Sequence, residues 1–105
     1  MESAAEEKKK QGNEEHKKGN YQAAVRCYTD AISKLDPLTA IDLNPNEPSF
    51  YTNRAFSNIY LKEYRRAIDD CEQSLQVNPQ FARAYKRLFK CYLCIGDFEV
   101  GSTHY

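Results

Sequence analysis

Two pairs of side chains, each spaced one helical turn apart, have the chemistry to hold a carboxylate. Arg83 and Arg87 are four residues apart, as are Lys9 and Asn13, and residues so spaced share a helix face. Asn53 lies 34 residues before Arg87. Guanidinium and ammonium groups are donors only, and each asparagine amide adds two N–H donors. From Phe81 to Ile95 the chain carries Arg83, Lys86, Arg87 and Lys90 and no acid. That local excess suits an acidic ligand near one end of the domain. The remaining reactive groups point away from catalysis. No nucleophile is paired with a histidine, no glycine loop cradles a phosphate, and no residues show metal-ligand spacing. Asp69 and Asp70 are adjacent, and adjacent helical residues point about 100° apart, which is wrong for acid–base cooperation. Cys91 and Cys94 form a C-x-x-C with no second pair or histidine pair. At i, i+3 on a helix they read as small packing residues rather than a zinc or redox site.

The elements that must position these residues are helices. The chain has 105 residues, enough for one small domain, with 15 basic and 15 acidic side chains. That balance argues against wholesale binding of nucleic acid or membrane. No apolar run approaches the roughly 20 residues that span a bilayer. The Glu- and Lys-rich start from Met1 to Gln11 is unlike a secretory signal, so a cytoplasmic location with reduced thiols is expected. Apolar residues recur at three and four throughout. Helices are expected at about 3–18, with Ser3 and Glu6 as a capping box, then at 21–34, 48–61, 64–77 and 81–95. A sixth begins near Phe98. The breaks fall at Gly19-Asn20, Lys62-Glu63, Asn78-Pro79 and Gly96-Asp97, with Pro48 suited to a first turn.

One offset pattern recurs. Tyr21, Ala24 and Tyr28 are matched by Tyr64, Ala67 and Cys71, and then by Phe98, Gly101 and Tyr105. The intervals are 43 and 34 residues, the first lengthened around Leu35 to Asn46. A fixed period in this range marks stacked helical hairpins, which bury their cores against one another. Repeat 1 covers about 4–37, an inserted loop about 38–47, repeat 2 about 48–81 and a partial repeat 3 about 82–105. Gly12 and Ala55 fall where the two helices of a hairpin approach closely, and Phe89 occupies the matching slot of the third. If the first helix of each repeat lines one concave face, Lys9, Asn13, Asn53, Arg83 and Arg87 converge from three helices.

Gly12-Asn13, Gly19-Asn20-Tyr21-Gln22-Ala23-Ala24, Tyr28, Ala31, Tyr51-Thr52-Asn53-Arg54-Ala55, Tyr64-Arg65-Arg66-Ala67 and Pro79 together resemble the tetratricopeptide repeat family. The resemblance implies an all-α fold of helical hairpins stacked in a right-handed superhelix, with the third repeat truncated. Within that family the chain is similar to co-chaperone domains. These bind the C-terminal Glu-Glu-Val-Asp of heat-shock protein 90 or heat-shock protein 70 through a carboxylate clamp. By resemblance, Lys9, Asn13 and Asn53 hold the terminal carboxylate, Arg83 takes the aspartate side chain, and Arg87 contacts the peptide nearby. Arg83 stands where the family usually has lysine, which keeps the charge and changes its geometry. A helical stripe drawn through Asn53 sets Phe56 and Tyr60 on the groove side, either as contacts for an apolar residue upstream in the peptide or, for Tyr60, as packing between helices. His16, Lys86 and Lys90 are candidate groove contacts, the two lysines acting on electrostatic steering.

The expected function is therefore a non-catalytic adaptor with no cofactor, no metal, no nucleic acid and no membrane partner. The rival is a repeat scaffold inside a larger assembly, binding through the convex face or the 38–46 loop. With its second helix short, the third repeat should leave Leu88, Phe89 and Tyr92 poorly covered. That is the expectation for a piece of a longer protein, for self-association, or for a partner subunit at the open C-terminal end.

Overall fold

The computed structural model describes residues 3–35 and 47–103, with side chains as far as Gly96. Five helices follow one another: α1 (Ala4–Lys17), α2 (Tyr21–Ser33), α3 (Glu47–Tyr60), α4 (Tyr64–Val77) and α5 (Ala82–Thr103). No strand occurs among the described residues. Helix α1 packs on α2, α3 on α4, α2 against α3 and α4 against α5. The result measures 57 × 30 × 17 Å, and its thinnest dimension is that of two helix layers. The helices α1, α3 and α5 form one layer, touching more lightly along it.

Local chemistry accounts for the boundaries. The Ser3 hydroxyl accepts a hydrogen bond from the Glu6 N–H at 3.1 Å, capping α1. The Glu6 carboxylate pairs with Lys9 at 3.2 Å. Helix α1 ends on Gly19 at φ 83°, with Gly19 N–H bonded to His16 C=O and Asn20 N–H to Glu15 C=O. This paired return to the last turn requires a left-handed residue just past the helix. Helix α3 ends the same way, with Lys62 N–H on Ile59 C=O and Glu63 N–H on Asn58 C=O. There the left-handed residue is Lys62, at φ 62°. Pro48 sits in the first turn of α3, where its missing N–H costs no bond.

The core is built from small residues. Ala55, Ala67, Cys71, Ala84 and Cys91 are fully buried together, with Ile59, Ile68, Leu75, Phe81 and Leu88 packed around them. A second cluster joins Ala5, Ala31 and Phe50. All four cysteines are free thiols. Burial pushes the thiol of Cys71 up to about 12 and that of Cys91 up to about 11, so both remain protonated packing groups. Gly12 explains the close approach of α1 and α2, because a Cβ there would lie 2.6 Å from the ring of Tyr28.

One buried ion pair ties three helices. Arg54 on α3 donates through Nε to both oxygens of Asp70 at 3.1 and 3.0 Å, and through Nη2 to Oδ1 at 2.6 Å. Its Nη1 reaches Thr29 Oγ1 on α2 at 3.1 Å, and Asn58 Nδ2 also donates to Asp70. Asp70 is 4% exposed. Burial raises its pKa, against the pull of Arg54 and Asn58.

Two expectations are corrected. No break occurs at Gly96-Asp97, and α5 runs unbroken for 22 residues. Among the described residues nothing lies within 4 Å of where a Cβ of Gly96 would sit, and the helix passes through it. Continuing the helix keeps its backbone bonded at a glycine penalty of about 1 kcal/mol. Leu88 is not left uncovered, since it packs into the main core, whereas Phe89 and Tyr92 are exposed. Most of the 38–47 loop and the side chains of Phe98, Gly101 and Tyr105 lie outside the described residues.

Gly12→Ala should lower stability by about 1–2 kcal/mol, because overpacking against a buried ring outweighs the better helix propensity of alanine. Urea unfolding monitored by circular dichroism measures this. Arg54→Ala leaves a buried carboxylate unpaired and should cost about 3–5 kcal/mol at neutral pH. In that variant the folded-state pKa of Asp70 stands above its unfolded value. The native state then binds the extra proton, and the deficit should shrink as pH falls below the folded pKa.

Candidate functional site

The layer formed by α1, α3 and α5 carries the polar and aromatic side chains singled out above. Asn13 on α1 and Asn53 on α3 meet directly, the Asn53 Nδ2 donating to Asn13 Oδ1 at 3.4 Å. Tyr28, almost wholly buried on α2, donates its hydroxyl to the same oxygen at 2.6 Å. With that carbonyl occupied twice, Asn13 offers its remaining capacity as N–H donors. Burial raises the Tyr28 pKa to about 12, so its hydroxyl keeps the proton it donates. Lys9, one turn before Asn13, holds its ammonium between the Glu6 carboxylate and the Phe50 ring, 4.8 Å from the ring centroid.

A ring cluster lies beside the two asparagines. His16 stacks on Phe56 with centroids 4.5 Å apart and meets Tyr21 and Tyr60 edge-on at 5.1 and 5.3 Å. Tyr21 and Tyr60 stack on each other at 4.6 Å and 12°. Three helices thus contribute to one aromatic floor. The Nδ1 of His16 shares a hydrogen bond with Ser57 Oγ at 2.9 Å, and Ser57 is fully buried. Burial, and then the charge of Arg87, lowers the His16 pKa. Arg87 lays its guanidinium over Phe56 at 3.8 Å, a strong cation–π distance. Its pKa is lowered by burial and by Arg83, and its Nε is buried without a hydrogen-bond partner among the described residues.

The predicted site residues fall into four groups. Asn13 and Asn53 are in contact, and Lys9 precedes them on α1. His16, Phe56, Tyr60 and Arg87 form one contiguous cluster. Arg83 stands apart and exposed, over the edge of Phe81 at 5.9 Å. Lys86 and Lys90 line a recess together with Phe56, Tyr60 and Arg87. Sequence reasoning missed the props: Tyr28 behind Asn13, Phe50 under Lys9, and Ser57 and Tyr21 around His16. Tyr21 was visible in the repeated tyrosine, but nothing in the sequence marks Ser57 as buried. A larger shallow depression over α1 and α2, at Gln11, Glu14, Arg26 and Cys27, has mixed charge and no convergent donors.

A family model described as Tetratricopeptide repeat matches residues 48–81, the α3–α4 hairpin and the residues leading to α5. The chain belongs to the tetratricopeptide repeat family. Stress-induced-phosphoprotein 1 of Caenorhabditis elegans is 40% identical over 81 residues, covering 77% of this chain and 22% of that protein. Two solved structures show the same arrangement. One is the first such domain of Spaghetti (RPAP3) bound to the HSP90 peptide SRMEEVD. It has a TM-score of 0.75 and 28% identity, over 90% of this chain and 70% of that one. The other is the TPR2B domain of yeast Sti1 in complex with an Hsp70 peptide, with a TM-score of 0.75 and 28% identity, over 91% and 70%. The chain spans between 12% and 24% of the lengths of the curated relatives it matches. Among the described residues no helix is long and apolar enough to cross a membrane, and no group of His, Cys, Asp and Glu could hold a metal ion.

His16 has a measurable consequence of its own. It should titrate below the ordinary 6.5, as read from its ring proton resonances. Because the folded-state pKa is depressed, the unfolded chain binds the proton first. The stability from a neutral His16 should be complete well above 6.5 and lost as pH falls through the range just below it. His16→Asn should remove that part of the pH dependence.

Proposed function

We propose that this repeat domain is a non-catalytic, cytoplasmic adaptor that captures the C-terminal carboxylate of a peptide ending in aspartate. Heat-shock protein 90 and heat-shock protein 70 peptides are the ligands of the similar domains. The observation that carries the reading is the Asn53–Asn13 contact. It sets amide donors from two successive repeats against each other, with a cation on either side along the layer. Lys9, Asn13 and Asn53 then take the main-chain carboxylate, Arg83 the aspartate side chain, and Arg87 the peptide beside it.

The energetics are compatible with reversible capture. Glu6 holds Lys9 only as an i, i+3 pair, worth roughly 0.2–0.5 kcal/mol, so a ligand carboxylate displaces it at low cost. Charge-assisted hydrogen bonds contribute about 1.5–3 kcal/mol each where well placed. In an open groove screening reduces them, and micromolar affinity, about −8 kcal/mol, is expected. The aromatic floor is apolar beneath its polar rim and suits a side chain upstream of the aspartate. A second reading also has an observation in its favour. Tyr85, Phe89, Tyr92 and Leu93 are all about half or more exposed on α5, at spacings that form one helix face. That face fits a second copy or a partner subunit.

A peptide Met-Glu-Glu-Val-Asp with a free C-terminus should bind with a micromolar Kd by calorimetry. Amidation of the peptide should weaken binding at least tenfold, about 1.4 kcal/mol. Lys9→Ala combined with Arg83→Ala should do the same without loss of helicity, since neither is a core residue. Arg87 is left in place because it packs on Phe56. Equal binding of the free and amidated peptides would refute the clamp.

A further inference from the structure

His16 continues the row of Lys9 and Asn13 along α1. It lies one turn past Asn13, about 4.5 Å further along the helix axis. Its imidazole and the Arg87 guanidinium rest on the same ring, Phe56, at 4.5 and 3.8 Å. A group that can gain a charge therefore stands beside both an amide and a cation of the candidate clamp. The titratable or charged groups that face it are Tyr21 from α2, Tyr60 from α3 and Arg87 from α5. On its own helix the preceding turn offers Gly12 and Asn13, both uncharged. Its neighbour Glu15 is engaged by Asn20 and Lys18 instead, and Lys17 is exposed. Among the described residues no carboxylate pairs with His16.

The empty groove favours the neutral ring. Burial strips water from it and Arg87 repels a second cation, and both effects lower its pKa. A carboxylate held at Asn13 and beside Arg87 reverses the second effect, because it offsets the guanidinium and attracts an imidazolium. The contact on the other side of the ring suits either form. Ser57 Oγ lies 2.9 Å from Nδ1, and a hydroxyl donates to a bare ring nitrogen or accepts from a protonated one by turning its hydrogen. Protonation thus moves no heavy atom at this contact, and the buried Ser57 keeps its partner throughout.

We propose that His16 is a proton-linked member of the peptide site, taking up to one proton from solvent as the domain captures an anionic C-terminus, so that affinity rises as the pH falls from 7.5 to 5.5. This rests on the clamp reading above. The sign follows from linkage: the complex holds more protons than the free domain, so acid favours capture. The peptide's own carboxyls, ordinarily between about 3.3 and 4.3, stay ionised over this range. One unit charge added within a few ångströms of a ligand carboxylate, at a partly screened site, is worth a factor of about three. The proton that weakens the empty fold therefore strengthens the complex.

The test is a pair of calorimetric titrations with Met-Glu-Glu-Val-Asp, at pH 7.5 and 5.5 and equal ionic strength. The Kd should be about threefold tighter at 5.5 for the unaltered chain. The chain has two histidines, so His104→Asn is the control and should behave like the unaltered chain. In His16→Asn the two Kd values should agree within about 1.5-fold. Glu47 and Asp70 also have raised pKa values, and any effect of theirs survives His16→Asn. A second measurement needs no variant at the site: the ring proton resonances of His16 should report a higher pKa in the saturated complex than in the free domain. Equal affinity at the two pH values, weaker binding at 5.5, the same tightening in His16→Asn, or a His16 pKa that does not rise overturns the proton link. An amidated peptide separates the two ideas. If amidation abolishes binding and pH has no effect, the clamp stands and the link falls. If the free-acid peptide binds at neither pH, both fall.

Discussion

The fold turns on one buried ion pair. Asp70 is nearly inaccessible to water, and a carboxylate in that position is tolerated only with several donors in place. Arg54 meets it through two nitrogens and reaches Thr29 with a third, while Asn58 adds another donor. These bonds have directions, unlike the contacts among Ala55, Ala67 and Cys71 around them. They fix the rotation of α3 against both α2 and α4. Because Asn53 is the immediate neighbour of Arg54, the same rotation determines which way the groove asparagine points. A buried pair of this kind contributes less to net stability than to the uniqueness of the packing.

The groove inherits its order from the convex side. Tyr28 is wedged against Gly12, and its hydroxyl emerges to hold Asn13. A side chain of the second helix thus braces a ligand-facing residue on the first. The ring cluster of His16, Tyr21, Phe56 and Tyr60 works in the other direction, joining α1, the start of α2 and the end of α3 beneath Arg87. Small residues at the helix crossings make both arrangements possible, because bulk there would separate the helices by more than these contacts span.

Much of this was legible in the sequence, and the exceptions have physical causes. The apolar period gave the helices, and Gly19-Asn20, Lys62-Glu63 and Asn78-Pro79 gave their ends. Gly12 read correctly as a close approach, and Cys71 and Cys91 as packing groups. Gly96-Asp97 resembles the earlier breaks, yet the helix continues through it, because a glycine inside a helix costs only about 1 kcal/mol and does not by itself force a turn. From the sequence Asp70 reads only as half of a pair unsuited to catalysis, because a buried aspartate looks like a surface one until its arginine is located. The asparagines were found through their spacing of 34 and their setting. Tyr28 behind Asn13 and Ser57 behind His16 were not, since a hydroxyl carries no sequence signal of its partner.

The stacked tyrosines give the chain an internal optical label. It contains 8 tyrosines and no tryptophan, so its near-ultraviolet spectrum belongs to tyrosine, with small additions from phenylalanine. Tyr21 and Tyr60 lie almost parallel at 4.6 Å, on the floor of the groove and on separate hairpins. Rings coupled at that distance in a fixed chiral setting absorb left and right circularly polarised light unequally, and the signal vanishes when tertiary packing is lost. The spectrum of the unlabelled chain therefore reports the register of the two hairpins at the place where a ligand would sit, separately from its helix content.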